Sequence, residues 1–306
     1  MSKQVYPFLN ARKVKPNAFD QYYEEPKALG EAGMHAILDK GKKWQKALAA
    51  TLKAGGAVLF PHTFLSQCGN QIAAAVHAIL DSGADQALVL GVLHPMSEPL
   101  MQTRSKELNE EDISKETSRG VFGPDIDPYN VLKNEFSLDL FNILFDAEVK
   151  RRGVKPPKLI ERYPSLVNRD PTSLPGIKEL EQIAQDAVIV ATDDMCHHGV
   201  GYGVSAEDAF DIDDKGYEFA RHYIEEGYAL LKNNNYRDYY FHWMNPKAIG
   251  DPTDTAMVLK HLLGDVHINI VDLKLVDVSM LFENNITPSW VATTLAEFKK
   301  IPSKGR

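Results

Sequence analysis

Two apolar runs in the sequence end in histidine. Ala57-Val58-Leu59-Phe60 leads into Pro61-His62, and the run from Ala87 to Leu93 leads into His94-Pro95. If each run is a strand and the segment between them a helix, the strands are parallel. Both histidines then leave the sheet at its carboxyl edge, where open α/β sheets bind ligands. Two imidazoles meeting there can share one ion, because neutral imidazole ligates zinc, iron and copper and a catalytic site needs only two or three protein ligands. A third apolar run, Ala187 to Ala191, opens into Thr192-Asp193-Asp194-Met195-Cys196-His197-His198-Gly199. It delivers carboxylates and imidazoles to the same edge, the residue types that polarise a hydroxyl and move its proton.

Taken singly, these residues have plainer readings. A lone histidine at a strand end commonly satisfies its own hydrogen bonds in the core, and Asp251, ahead of Pro252 with Asp254 three places on, reads as a helix N-cap. Cys68 and Cys196 read as small buried side chains. His35, His77, His222, His242, His261 and His267 have no convergent neighbours in the sequence.

The elements that would position this chemistry follow from periodicity. Helical spacing over Lys42–Lys53, Asn70–Leu80, Asn134–Arg151 and Ile177–Gln185 alternates with the apolar runs and with a further strand from Lys158. Continuous rather than alternating apolar runs are what parallel strands covered on both faces require. A long helix is expected from about Ser205, with Ser205 as cap and Asp208 at the third position, and another from Asp251-Pro252-Thr253-Asp254. Val266–Val278 and Trp290–Leu295 read as closing strands. Residues 1–41, interrupted by Pro7, Pro16 and Pro26, read as an irregular lead-in, and Glu98–Asp127 as a loop. The expected fold is one α/β domain over the 306 residues, with a central, largely parallel sheet covered by helices and additional C-terminal strands.

Composition narrows the function classes. With 34 basic against 42 acidic residues, the net charge of −8 repels phosphate backbones and argues against a nucleic-acid partner. No apolar stretch reaches the roughly 20 residues that cross a bilayer, and Met1 to Asn10 carries no signal-peptide pattern. Two cysteines are too few for a disulfide framework, so a reducing compartment, the cytoplasm, is the expectation.

In order and spacing, the chain from about residue 57 onward resembles the Memo family, itself similar in fold to the class III extradiol dioxygenases. The resemblance is carried by Ala57–His62 with Cys68-Gly69, by Leu90-Gly91-Val92-Leu93-His94, by Glu135-Phe136-Ser137-Leu138-Asp139, and most specifically by Asp194-Met195-Cys196-His197-His198-Gly199. It implies a metal pocket on His62 and His94, with Asp194 and His197 as catalytic groups and Glu135 and His198 in contact with substrate. The related dioxygenases hold iron(II) on two histidines and a carboxylate and cleave an aromatic ring beside two hydroxyls.

There are departures. Phe136 stands where the family has a second histidine, Thr63-Phe64-Leu65 replaces a glycine and tyrosine after the first histidine, and His198 stands at an aromatic place. Gly250 aligns with the family's ligating cysteine, which leaves Asp251 or Asp254 to supply the third ligand. The resemblance therefore implies a metal-assisted oxidoreductase of the non-haem iron dioxygenase type, acting on a small aromatic or hydroxylated molecule, with His62, His94 and Asp251 as ligands. Iron(II) is the expected ion, and zinc or copper would also suit imidazole. Two other readings remain: a non-catalytic protein whose pocket binds a peptide or regulatory ligand, discriminated by whether the pocket is open beside His62 or filled by Phe64 and Phe136, and a metal-dependent hydrolase.

Overall fold

The computed structural model describes residues 14–301. The first helix, α1 (Asp20–Lys53), is followed by β1 (Ala57–Phe60), α2 (Leu65–Ser82), β2 (Gln86–Leu90), α3 (Glu98–Leu108), β3 (Gly120–Phe122), α4 (Asp139–Arg152) and β4 (Lys158–Ser165). The second half comprises α5 (Ile177–Asp186), β5 (Val188–Thr192), β6 (His197–Gly199), α6 (Asp214–Lys232), α7 (Tyr236–Trp243), β7 (Met244–Asn245), β8 (Ala248–Ile249), α8 (Asp254–Leu263), β9 (Val266–Asp277) and β10 (Ser289–Lys300).

Ten strands form one mixed sheet in the order β3-β4-β2-β5-β1-β10-β6-β8-β7, with β9 paired to β10. Its centre, β4-β2-β5-β1, is parallel. The apolar runs are continuous because both faces are covered. Val58 and Phe60 join the core shared with α1, α2 and α4, while Ala57 and Leu59 join the core shared with α6, α7 and α8. The β9–β10 hairpin closes the sheet antiparallel to β1, and β6 pairs with the first residues of β10. No helix among the described residues is long and apolar enough to cross a membrane.

Three expectations are corrected. Residues 20–41 are helical rather than an irregular lead-in. Proline and glycine mask the pattern, since Pro26 lies inside α1 and Gly30, at φ 59°, kinks it. The helix forms because it packs along α2, so closely at Gly41 that a Cβ there would lie 2.7 Å from that of Ala73. Residues 1–13 of that lead-in lie outside the described residues. Glu98–Leu108 is helical rather than loop, and Ser97 caps it ahead of Pro99, a start signal that was present in the sequence. The helix expected from Ser205 begins instead at Asp214. Ser205 Oγ accepts the Asp208 amide within a local turn, and the Asp213 carboxylate caps α6 through the Gly216 amide at 2.9 Å.

A buried ion triad ties α3 to the start of α8. Arg104 reaches Asp254 at 2.5 Å and Glu107 at 3.0 Å, and the amides of Val167 and Asn168 donate to the same two carboxylates at 2.7 and 2.9 Å. Removing the cation would leave two desolvated carboxylates facing each other. Arg104→Met should therefore lower unfolding stability by about 3–5 kcal/mol in urea titrations; a loss below ~1 kcal/mol would contradict this account of the triad.

Candidate metal centre

The site is built where β1, β2 and β5 end. His62 follows β1 by two residues, and its Nδ1 lies 2.9 Å from Oγ1 of Thr192, the last residue of β5 and the register partner of Phe60. His94 leaves β2 and is held by Glu135, which accepts its backbone amide at 2.7 Å and its Nδ1–H at 3.0 Å. Glu135 also accepts the amides of Phe136 and Ser137, both at 2.8 Å, and Ser137 in turn donates to the Val92 carbonyl.

Asp251 arrives from the other half of the molecule, between β8 and α8. It does not cap α8. Its Oδ2 accepts the Asp194 amide at 2.9 Å, and its own amide donates to the Asp194 carbonyl at 3.2 Å, so the two aspartates are locked together. At Gly250 a Cβ would lie 2.9 Å from the Met195 carbonyl and 3.0 Å from Trp243, which leaves no room for a ligating side chain. The acid is supplied one residue later.

These elements bring the Nε2 atoms of His62 and His94 to 3.3 Å from each other. Asp251 faces both through its two oxygens, with Oδ2 3.3 Å from the first and Oδ1 3.5 Å from the second. Ligand atoms about 2.1 Å from one ion stand about 3.0 Å apart at right angles and about 3.4 Å apart at tetrahedral angles. The spacing thus fits three ligands on one face of a small divalent ion. The tautomers agree with this. Glu135 can only accept, so His94 carries its proton on Nδ1 and turns Nε2 inward, the arrangement in which a carboxylate orients a ligating histidine. Asp251 Oδ1 and Asp194 Oδ1 are buried and receive no hydrogen bond. Buried His/Asp groups here can hold a metal ion.

Charge reinforces the geometry. Burial works against a charged His94, but the carboxylates of Glu135 and Asp251 outweigh it and hold its pKa well above the usual imidazole value. Asp251 is likewise subject to burial, yet His62, His94 and His197 keep it below the carboxylate range. Burial, reinforced by Asp251, raises Asp194. His197 is lowered by burial, which leaves it neutral at neutral pH. Its Nε2 lies 3.7 Å from Asp251, and its ring stacks on Tyr202 with centroids 5.0 Å apart. Thr63 donates to Asp194 Oδ2 at 2.5 Å, and that oxygen lies 3.7 Å from His62 Nε2.

A cavity of about 190 Å³ opens beside these groups, lined by His62, His94, Asp194, His197 and Asp251 together with Phe19, Tyr22, Phe136, Tyr202 and Phe282. Phe136 does not fill it. Its ring lies flat on His94, with centroids 4.6 Å apart and an interplanar angle of 11°, and so forms a wall. Phe64 is drawn aside, stacked on Tyr22 at 4.7 Å.

Two residues expected at the substrate lie outside the lining of this cavity. Glu135 is absent from the cavity lining, because its oxygens are occupied by His94 and the amides of residues 136 and 137. His198 faces the opposite side of the sheet from His197, since successive strand residues alternate. There it bridges the Lys247 carbonyl and the Phe210 amide among Phe210, Phe219 and Trp290. Tyr22 and Tyr202 were missed. The first was hidden in the supposed lead-in, and the second lies in a short 3₁₀ turn that carries no periodic signal. Comparison with protein-family models and with curated proteins gives no match.

The raised pKa of His94 has a checkable sign. Below it a proton occupies Nε2 and must leave before a metal can bind, so zinc(II) affinity should rise with pH, by up to about tenfold per unit for the one proton displaced. Glu135→Gln should flatten that slope and, at mildly alkaline pH, weaken zinc binding about 10–100-fold in calorimetric titrations. Affinity independent of both pH and Glu135 would contradict the assignment of His94 as a ligand.

Proposed function

We propose that the protein is a metal-dependent oxidoreductase of the extradiol-dioxygenase type, using iron(II) on a small aromatic molecule with adjacent hydroxyls. The observation that carries this reading is the convergence of two histidine Nε2 atoms and one carboxylate on one side of a ring-sized aromatic cavity, with a neutral histidine facing them. The resemblance of the Asp194–Gly199 segment and of both strand-end histidines to the Memo family, and through it to the class III dioxygenases, supports the same class. Two histidines and a carboxylate leaving open positions suit iron(II), which supplies a redox-active Lewis acid when bound.

The chain's own residues then have distinct tasks. Phe136, lying on His94, and Tyr202, stacked on His197, line a cavity large enough for one ring, since about 150 Å³ already accommodates benzene. His197, neutral and buried, takes the proton of a substrate hydroxyl, and Asp194, steadied by Thr63, stabilises the imidazolium so formed. The aromatic lining excludes bulk water from these transfers. An open cavity supports catalysis over the non-catalytic reading, which a pocket filled by Phe64 and Phe136 would have favoured. Cys68 and Cys196 are both free and buried, consistent with residence in the cytoplasm.

The test is oxygen consumption by protein loaded anaerobically with iron(II) and then given catechols in air. Turnover is expected, and His197→Ala should lower kcat by about 10²–10⁴-fold while leaving metal content unchanged. Failure of the iron-loaded wild type to consume oxygen with any catechol would overturn the proposal.

A further inference from the structure

The cavity walls bear on what the substrate carries besides its hydroxyls. Tyr22 and Phe136 form one side, with centroids 5.1 Å apart, and Tyr202 and Phe282 another, also at 5.1 Å. A ring held between them with its hydroxyls toward His62 and His94 directs its far substituent to the mouth. That mouth is apolar: Val14 and Met96 line it while remaining 40 % and 37 % exposed. Two of the eight exposed large hydrophobic residues of the described chain thus line this one cavity. Solvated apolar surface of this kind gains free energy when an apolar group covers it.

The make-up of the lining points the same way. The acidic side chains lining the cavity are Asp194 and Asp251, and no lysine or arginine among the described residues lines it. Lys15, next to Val14, is turned to the Met280 carbonyl at 2.8 Å and to Asn285 at 2.7 Å. A carboxylate at the far side of the ring would meet Val14 and Met96 at the mouth, with no lysine or arginine of the lining to receive it.

We infer that the substrate is an uncharged single-ring phenol bearing an apolar substituent, and that the site discriminates against ring carboxylates. The inference rests on the catechol-type reading proposed above. It makes Met96, with Val14, a specificity-determining residue, because the substituent's contacts rather than the hydroxyls' set the preference.

The test is calorimetric binding to zinc(II)-loaded protein, which binds without turning over, using catechol, a propyl-substituted catechol and protocatechuate. The propyl compound should bind more tightly than catechol by about two- to fourfold per methylene covered, and protocatechuate about tenfold or more weakly. Met96→Lys, at an exposed position that accepts a charge, should reverse the order by giving the carboxylate a partner. If protocatechuate binds the wild type as well as the propyl compound, this inference is wrong while the catechol-type reading stands. If no catechol binds, that reading falls and the inference with it.

Discussion

The site depends on one electrostatic constraint: buried carboxylates that must share a cation. Glu135, Asp194 and Asp251 are all withdrawn from water, and each is held by hydrogen bonds that fix its position without neutralising it. His94 stands between Glu135 and Asp251 with Nδ1 committed to the first. Its other nitrogen faces Asp251 and His62, so either a proton or a metal ion must lie there. A fold that aims three lone-pair donors at one point and buries them pays a large desolvation cost, which a bound divalent ion offsets.

The rest of the architecture meets that constraint from two directions. The parallel strands deliver His62, His94 and Asp194 as the chain leaves the sheet, in the way that makes the carboxyl edge of such sheets a binding site. The antiparallel half supplies His197 on β6 and Asp251 after β8. It can do so because β6 lies hard against the start of β10. At Gly199, φ is 113° and a Cβ would sit 2.1 Å from the Pro288 carbonyl, so only glycine permits the approach. The Arg104 triad holds the start of α8, and with it Asp251, against the exit of β4.

Much of this was legible in the sequence, for a physical reason. Parallel strands buried on both faces must be continuously apolar, so Ala57–Phe60, Ala87–Leu93 and Ala187–Ala191 announced themselves, and with them the edge at which His62 and His94 emerge. What was hidden depends on tertiary packing. Residues 20–41 form a helix only because α2 supports it across Pro26 and the kink at Gly30, and that helix carries Tyr22 into the cavity. His197 and His198 are adjacent in sequence, and a three-residue strand gives no alternation from which to tell that one faces the cavity and the other the far side. The partners of Glu135 were hidden because a carboxylate bonded to backbone amides looks, in sequence, like one free for substrate. The third ligand had the same ambiguity: Asp251 before Pro252 looks like a cap until the Asp194 amide is seen to occupy it.

The most direct test of the central claim is anomalous diffraction from crystals grown anaerobically with iron(II). The account predicts one strong peak about 2.0–2.2 Å from Nε2 of His62, Nε2 of His94 and a carboxylate oxygen of Asp251, lost when Asp251→Asn protein is crystallised in the same way. No peak at that point, or an ion held by Asp194 and His197 instead, would contradict it.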